Sequence, residues 1–391
     1  VTASTVTVEA GNGYWINTTS NACTITLPAS AEAGDNIVIV DFARTWGTNS
    51  VELDSNGLNF QGNSDVYEVK YTTNGQSVNL IYSDATQGWI PLEDDVVADE
   101  PVQPPTQKAI FGYGKTSSDV SLTNLVNSSG VVAADVTGVG TARNNLAASS
   151  YGGDKAIFGY GRTNTQVSMT NLVNNSGVVA TDVSGVGTAR QSLAAASYGG
   201  DKAIFGYGTD SSLTNLVNNN GVVGSDVTGV GTARNDLAAA SFGGDKAIFG
   251  YGYYYSGGVV TYSLTNLVSN TGVVAADVTG VGTARYLLAA AGYGGDKAIF
   301  GFGTTGSVTG LTNLVSNTGV VAANVSAVGT ARKGLAAAGY GGDKAIFGYG
   351  TTGSLTAITN LVNSSGVVAS DVSGVGTARE KLAAAGFSYS A

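Results

Sequence analysis

KAIFGYG, at residues 108–114, is the stretch that decides the fold, because it returns five more times along the chain, once with Phe302 in place of the tyrosine. The later copies begin at Lys155, Lys202, Lys246, Lys297 and Lys344, and successive copies are 47, 47, 44, 51 and 47 residues apart. A period in the forties is typical both of β-propeller blades and of stacked helix pairs. The apolar runs are short, rich in Val and Thr, and separated by glycines, which favours strands and tight turns over helices.

Each repeat is predicted to contain four strands, named A to D here for the second copy. Strand A spans residues 193–198, strand B residues 155–160, strand C residues 168–174 and strand D residues 178–183. Glycines lie between these strands, where turns need a positive φ. The Leu-Ala-Ala-Ala segments are the one helix-like feature, but each ends within a few residues in a turn sequence, which suits a hairpin better.

The two ends of the repeat region are predicted to complete each other. The first copy opens with strand B at Lys108 and lacks a strand A, whereas the last copy ends with an unpartnered strand A at residues 382–387. An open stack would leave both edges unpaired, and no terminal copy looks like a polar cap. We therefore expect residues 382–387 to join the sheet that begins at Lys108. This closes six four-stranded blades into a six-bladed β-propeller, with the alanine-rich strand A innermost.

Three regions follow from this division, and the whole chain is expected to be all-β. Residues 1–92 alternate apolar and polar residues between turn signals, which predicts a small β-sandwich or barrel domain. Residues 93–107 are acidic and then proline-rich, which predicts a stiff, extended linker. Residues 108–391 are the six-repeat propeller.

Composition argues against several classes of function. The chain has no histidine, the commonest general base and metal ligand, and its single cysteine, Cys23, is expected to be a small buried residue. Residues 1–107 hold 14 Asp and Glu against two Lys and Arg, and residues 108–391 hold 14 against 16. Neither region offers the basic surface that nucleic-acid binding needs, and no apolar run reaches membrane-spanning length. We expect no catalytic residue, metal, cofactor, nucleic acid or membrane insertion.

Differences among the six copies concentrate in two zones, one after strand B and one directly after each Thr-Ala-Arg, whereas the A–B and C–D turns hardly change. In a four-strand meander the B–C and D–A connections emerge on the same face, so all the variation is expected there. Loops on a rigid scaffold commonly carry recognition, and drift in exposed loops is the alternative. The first zone comprises residues 115–120, 162–167, 209–211, 253–262, 304–310 and 351–357, and the second comprises residues 144–145, 191–192, 235–236, 286–287, 333–334 and 380–381.

The longest of these loops, residues 253–258 with three consecutive tyrosines, is the leading contact candidate. Tyrosine offers a large amphipathic contact area at a low entropy cost, and packing of the tyrosines on the neighbouring blade is the alternative. The candidate ligand-binding residues are Tyr253, Tyr254, Tyr255, Tyr262, Tyr286, Arg162, Asn164 and Lys115.

An arginine that is identical in all six copies is interpreted as structural, bonding turn carbonyls or a neighbouring blade, because active sites in propellers are asymmetric. The acidic position Asp135 becomes Asn324 in the fifth copy, which argues against a calcium site. The repeated arginines are Arg143, Arg190, Arg234, Arg285, Arg332 and Arg379.

The wording of the repeats resembles two groups of proteins. The arginine before strand A and the glycines around strand B resemble a kelch blade, although Gly-Tyr-Gly replaces the kelch diglycine and no repeat contains tryptophan. The phrases KAIFGYG, LTNLV, SNTGVVA, DVTGVGTAR and LAAAGYGGD are similar to repeats in tail-fibre and appendage proteins of marine bacteriophages, including cyanophages. Residues 1–92 also resemble a small β-domain of phage fibres, in the stretches 13–15, 26–29, 34–35 and 81–89.

This resemblance implies a virion structural protein on the particle surface. Its implied partners are a host receptor or polysaccharide, other virion proteins, and further copies of itself, a trimer included. The leading hypothesis is an adhesin that presents a propeller face to the host, and the second is a structural or decorating virion protein without a ligand. A sialidase-like glycosidase is disfavoured, because the Asp-box and an asymmetric carboxylate cluster are both missing from the sequence. The protein is therefore not expected to be an enzyme.

Overall fold

The computed structural model describes residues 1–64, 68–93, 99–102, 106–326 and 328–390. Within these ranges the chain forms strands and no helix, which confirms the predicted all-β class. No described segment is a helix with the length and hydrophobicity to span a membrane. The chain divides into two compact units, Val1–Pro104 and Pro105–Ala391.

The first unit contains two sheets. One has the strand order β1-β3-β5-β6-β9 and the other has the order β2-β4-β7-β8. The chain alternates between them at its start, so that β1 pairs with β3, β3 with β5, and β2 with β4, all in parallel. The strands are β1 (Thr5–Thr7), β2 (Gly13–Ile16), β3 (Cys23–Thr26), β4 (Asn36–Asp41), β5 (Val51–Asp54), β6 (Glu68–Tyr71), β7 (Ser77–Tyr82), β8 (Trp89–Glu93) and β9 (Asp99–Val102).

Alternate residues of both sheets bury one shared core, as the alternating sequence predicts. Trp46 and Trp89 are fully buried in it, and Tyr82 packs edge-on against Trp89 with 5.5 Å between ring centroids. Cys23 lies in the same core, which confirms its interpretation as a small buried residue, and burial raises the pKa of its thiol.

The predicted linker differs from the structure in part. Within residues 93–107, strand β9 pairs antiparallel with β6, so residues 99–102 belong to a sheet of the first unit and are not a free spacer. Pro101 lies inside β9, at the edge of that sheet, where the lack of an N–H is tolerated. Pro104 and Pro105, on which the stiff-spacer interpretation depended, lie outside the described residues.

The described residues of the second unit form six three-stranded antiparallel sheets and one short hairpin. In each sheet the middle strand is the KAIFG segment, the inner strand is the alanine-rich segment, and the outer strand is Thr-Asn-Leu-Val. The inner strands are Ala383–Phe387, Ala147–Tyr151, Ala194–Tyr198, Ala238–Phe242, Ala289–Tyr293 and Ala336–Tyr340. The middle strands are Lys108–Gly112, Lys155–Gly159, Lys202–Gly206, Lys246–Gly250, Lys297–Gly301 and Lys344–Gly348. The outer strands are Thr123–Val126, Thr170–Val173, Thr214–Val217, Thr265–Val268, Thr312–Val315 and Thr359–Val362, and the hairpin is Tyr253–Tyr255 with Val259–Thr261.

The C-terminal strand completes the first sheet, which confirms the predicted pairing of the two ends. Ile110 lies opposite Ala385, and Lys108 lies opposite Phe387. The other five sheets repeat this register with residues that are close in sequence, as with Ile204 opposite Ala196. Each inner strand also contacts the inner strands of the sheets on both sides, and the last contacts the first, so the six sheets follow one another in a cycle.

A cycle of backbone hydrogen bonds joins the turns between inner and middle strands. The N–H of the first turn glycine donates to the carbonyl of the turn aspartate in the next sheet. The termini interrupt the turn of the first sheet, and there Gln107 supplies the carbonyl and Ser388 the N–H. The bonds are Gly152 to Asp201 (2.6 Å), Gly199 to Asp245 (2.7 Å), Gly243 to Asp296 (2.6 Å), Gly294 to Asp343 (2.7 Å), Gly341 to Gln107 (2.9 Å) and Ser388 to Asp154 (2.7 Å).

The prediction of a regular fourth strand is wrong. The segment predicted as strand D of the second copy is not a continuous strand, because it forms only isolated bridges with the outer strand, Val179 to Val173 and Val183 to Thr170. Between these bridges the Ala180 N–H donates to the Leu172 carbonyl at 2.8 Å. Four residue steps on one side face three on the other, so the ladder contains an extra residue. The side chain of Asn171 fills the break, because its Nδ2 donates to the Ala180 carbonyl at 3.0 Å and to Asp182 Oδ1 at 2.9 Å.

Neighbouring sheets pack through the Gly-Tyr-Gly, or Gly-Phe-Gly in the fifth copy, that begins at the last residue of each middle strand. Gly112 lies beneath the ring of Phe158 in the next sheet, and a Cβ on Gly112 would come within 2.6 Å of that ring. Tyr113 has a φ of 62° and its ring packs on the same Phe158, with centroids 5.1 Å apart. A left-handed conformation costs a non-glycine residue about 1–2 kcal/mol, which the burial of the tyrosine offsets.

Candidate functional site

The two variable zones lie together at one end of the six sheets, and this surface is called the variable face below. Residues that follow the middle strand pair with residues that precede the inner strand of the same sheet. Thus Asn144 and Arg162 exchange two backbone hydrogen bonds, at 3.0 and 2.8 Å, and Lys115 pairs with Glu380 in the same way. The further pairs are Asn235 with Tyr253, Tyr286 with Thr304 and Lys333 with Thr351, and in the third sheet the Gln191 N–H donates to Thr209 Oγ1. The sequence differences therefore share one surface, as predicted.

The second residue after each Thr-Ala-Arg forms a closed ring of backbone hydrogen bonds, called the axial ring below. Each N–H donates to the carbonyl of its counterpart in the preceding sheet. Because every link joins different sheets, the ring exists only while all six sheets surround a common centre. The bonds are Asn145 to Lys381 (3.0 Å), Ser192 to Asn145 (2.9 Å), Asp236 to Ser192 (2.9 Å), Leu287 to Asp236 (2.9 Å), Gly334 to Leu287 (2.9 Å) and Lys381 to Gly334 (2.7 Å).

All six axial-ring residues have a positive φ, between 48° and 63°. Only one of them is glycine, although this conformation favours glycine and asparagine. The fold thus imposes the same backbone at six positions while their side chains are an amide, a hydroxyl, a carboxylate, an isobutyl group, a hydrogen atom and an amine. The backbone of the ring is therefore the same in all six sheets, whereas its side chain differs from sheet to sheet.

A small cavity of about 90 Å³ opens at the axial ring. Its floor consists of the leucines that follow each ring residue, which are only 5–6% exposed. The floor leucines are Leu146, Leu193, Leu237, Leu288, Leu335 and Leu382. The cavity therefore combines a polar rim with an apolar base, the usual composition of small-ligand sites.

Asp236 is the acidic member of the axial ring. Burial raises the pKa of its carboxyl, against the lowering effects of a hydrogen bond from Ser192 and of the positive charge of Lys381. Its neighbour Tyr253 is half-buried, and its pKa rises to about 12, first because of burial and then because of the negative charges of Asp236 and Asp210. Acidic groups and the predicted tyrosines therefore lie within electrostatic range of one another.

The structure brings some of the predicted tyrosines together. Tyr253 and Tyr286 come from neighbouring sheet connections and their rings are 4.9 Å apart. Tyr253, Tyr254 and Tyr255 form one arm of a short hairpin rather than an irregular loop, and Tyr255 is 61% exposed. Tyr262 is half-buried at the base of the hairpin, where its N–H donates to the Gly252 carbonyl at 2.8 Å.

The other predicted contact residues lie apart from this hairpin in the chain and in different sheets. Lys115 belongs to the first sheet, whereas Arg162 and Asn164 belong to the second. All three are exposed. They share the variable face with the tyrosines, and their roles as ligand contacts stay predictions.

The repeated arginines are fully buried between neighbouring sheets. Arg143 lies 4.3 Å above the ring of Tyr113 in one sheet and donates to the Tyr160 carbonyl (2.9 Å) and to Asn171 Oδ1 (2.7 Å) in the next. All six guanidinium groups lie 4.3–4.9 Å from the equivalent aromatic ring. A buried cation with aromatic, carbonyl and amide partners holds the sheets together, and this confirms the structural interpretation.

The axial ring is what sequence reasoning missed as a site. Its residues were recognised as variable, but the tyrosine-rich loop was preferred because of its length. The signal for this site in the sequence was that one repeated position carries a different side chain in each of the six copies. Among the described residues, no three Asp, Glu or Cys side chains cluster in a way that could hold a metal ion.

No model of a known protein family matches this chain, and no curated protein matches it in sequence.

Proposed function

We propose that the second unit is a six-bladed β-propeller that serves as the receptor-binding head of a virion appendage, a tail or head fibre. The resemblance of the repeats to phage appendage proteins motivates the biological setting. The cyclic contacts of the inner strands and the pairing of Lys108–Gly112 with Ala383–Phe387 support the propeller architecture. The outermost segment of each blade is then irregular, held by isolated bridges and a few further hydrogen bonds to the outer strand.

The observation that carries the proposal is the separation of constant and variable residues among the six copies. The residues that join neighbouring sheets are alike in every copy, such as the buried arginines and the glycines beneath phenylalanine rings. The residues that differ are paired with one another on the variable face. Drift in exposed loops alone would also have altered the opposite face, where turns such as Tyr151–Lys155 stay nearly identical. We assign the variable face to binding a host-surface receptor or polysaccharide.

The first unit is assigned to attachment to other virion proteins or to oligomerisation, a trimer included. Several copies on one particle gain avidity even when each site is weak. On this proposal the protein has no enzymatic role.

Site-specific blocking of each face tests the proposal. A cysteine is introduced at Asn164 on the variable face or at Asn220 on the opposite face, in a Cys23→Ser background, and a polyethylene glycol chain is attached to it. Both side chains are exposed, so both variants accept the label. Binding of the full chain to a panel of marine bacterial isolates and to arrayed surface polysaccharides is then measured.

We expect the label at Asn164 to abolish binding and the label at Asn220 to leave it unchanged. Loss of binding caused by the Asn220 label alone would show that the opposite face, and not the variable face, binds the host. Absence of binding to every isolate and polysaccharide would favour the structural or decorating alternative.

A further inference from the structure

Opposite charges face each other across the axial ring. The ring order is Asn145, Ser192, Asp236, Leu287, Gly334 and Lys381, so Asp236 and Lys381 are three positions apart and occupy opposite sides of the six-membered ring. Lys381 acts on the carboxyl of Asp236 through its charge. Within the described part of the chain, no contact of 4.0 Å or less joins the two charged groups as an ion pair. The gap between them is the cavity.

The remaining ring residues divide the rim further. Ser192 is the ring neighbour of Asp236 and its side chain bonds that carboxyl, and Asn145 is the ring neighbour of Lys381. Leu287 and Gly334 lie between Asp236 and Lys381 on the other side of the ring and have no polar side-chain group. A ligand that spans the ring therefore meets an acid with a hydroxyl at one end, an amine with an amide at the other, and apolar groups along one flank and below.

From this arrangement we infer that the axial ring is a binding subsite for a small zwitterionic group, whose ammonium contacts Asp236 and whose carboxylate contacts Lys381. This inference rests on the proposed function, because it takes the variable face as the binding surface and names the chemistry recognised at its centre. The predicted tyrosine hairpin then flanks the subsite, since Tyr253 pairs with Asn235, the residue directly before Asp236.

The size of the cavity limits the group. A volume of about 90 Å³ corresponds to roughly three water molecules at ~30 Å³ each, which suits an amino-acid-sized zwitterion and excludes a whole sugar chain. Partial burial strengthens the attraction, because a half-buried carboxylate with no ion pair within 4.0 Å gains more from a ligand ammonium than an exposed one does. The leucine floor favours ligands with a short methylene chain between the charges.

Titration of the full chain with glycine, β-alanine and 4-aminobutyrate tests the inference. Binding is followed by calorimetry and by amide chemical shifts of the axial-ring residues, with ethylamine and propionate as single-charge controls. Asp236→Asn and Lys381→Met are the test variants. The ring already carries Asn145 and Leu287 at equivalent positions, so an amide and an apolar chain are both accommodated. Lys246→Met, at the start of a middle strand on the opposite face, is the matched control, because it removes the same ammonium group as Lys381→Met.

We expect at least one zwitterion to bind, each test variant to weaken this binding about tenfold or more, and Lys246→Met to leave it unchanged. Absence of saturable shifts up to ~10 mM of every zwitterion overturns the inference, as does binding that neither variant weakens. The two proposals fail separately. If the chain binds host surfaces but no zwitterion, only the subsite inference is wrong. If it binds a zwitterion but no host surface, only the adhesin proposal is wrong.

Discussion

The Nε atom of Arg379 donates a hydrogen bond to the carbonyl oxygen of Tyr113 at 2.8 Å, across 266 positions of sequence. The same guanidinium lies 4.3 Å above the ring of Tyr349 and donates to Asn124 Oδ1 at 2.8 Å. Arg190 makes the equivalent contacts with Tyr160, Tyr207 and Asn215, residues near it in the chain. The junction between the last and first sheets is therefore built like the junctions inside the repeat region.

Replacing Arg379 by methionine tests this equivalence. The substitution leaves the buried Tyr113 carbonyl and Asn124 amide without a donor, and we expect a loss of about 2–4 kcal/mol in the free energy of unfolding. Arg190→Met is the matched variant and is expected to cost a similar amount. Urea unfolding of the full chain measures both. A negligible effect at Arg379 beside a large one at Arg190 would show that the closing junction does not form as described.

The second prediction concerns the glycine that lies beneath each phenylalanine ring, because this position has no room for a side chain. Gly112→Ala places a Cβ within 2.6 Å of the Phe158 ring, so the two sheets must shift apart. Overpacking of this kind costs about 1–3 kcal/mol. Gly258→Ala is the control, because no atom lies within 4 Å of its added Cβ and its φ is not positive, so little change is expected there. Thermal unfolding distinguishes the two, and equal melting temperatures for both variants would argue against this packing.

An aspartate after the outer strand, such as Asp371, accepts hydrogen bonds from a threonine in the connection that leads from the previous sheet. We expect this contact to be lost at low pH and to take some of the stability of the fold with it. Burial acts to raise the pKa of Asp371, but hydrogen bonds from Thr330 and Asn360 and the charge of Arg332 outweigh it and hold the pKa below its usual value. A carboxyl with a depressed folded-state pKa stabilises the fold above its unfolded pKa of about 3.9, and this contribution is lost as the pH falls through the folded value.

The fifth copy supplies the control, because Asn324 occupies this position. Its Oδ1 accepts from the Thr283 N–H, as the aspartates do, but its Nδ2 donates to Thr283 Oγ1, the reverse of the hydroxyl bond in the other copies. We expect Asp371→Asn to lower stability at neutral pH and to flatten its acid dependence, and Asn324→Asp to do the reverse. Urea unfolding at pH 7 and at about pH 3 measures both changes. A pH dependence that neither substitution alters would rule out these carboxylates as its source.

The tyrosine hairpin predicts a change in host binding without a change in fold. Tyr254 and Tyr255 lie in a hairpin on the variable face, and exposed aromatic residues commonly contribute most of the energy of an interface. We expect the double alanine variant to weaken host binding about tenfold or more, whereas Asn219→Ala with Asn220→Ala on the opposite face has no effect. Surface plasmon resonance measures both affinities, with the receptor or polysaccharide that the binding screen under Proposed function selects as the ligand. Unchanged affinity of the tyrosine variant would show that the hairpin is not part of the binding site.

Much of the strand pairing could be predicted from the sequence, because each strand is a short apolar phrase between glycines and the repeats locate it six times over. The pairing of residues 382–387 with the strand at Lys108 followed from counting strands alone. The irregular fourth segment could not be foreseen, since its apolar alternation resembles a strand. Only the structure shows that Asn171 bonds Ala180 and Asp182 and breaks the ladder.

The site was predictable only to the level of a face. Variation among copies located the loops, and the meander placed them at the same end of the sheets. The axial ring depends on side chains from six sheets converging at one centre, such as Asp236 opposite Lys381, and these residues are far apart in the sequence. Likewise, a tyrosine run alone did not indicate that Val259–Thr261 would pair with it to form a hairpin.

Electron cryo-microscopy of the full chain, with particles viewed along the centre of the repeat region, tests most directly the claim that six sheets close around one axis. We expect six equal lobes in an unbroken ring, with the strand Ala383–Phe387 in the lobe that begins at Lys108. Any other number of lobes, a gap in the ring, or repeats arranged in a line would contradict the closure and, with it, the axial ring and the single variable face.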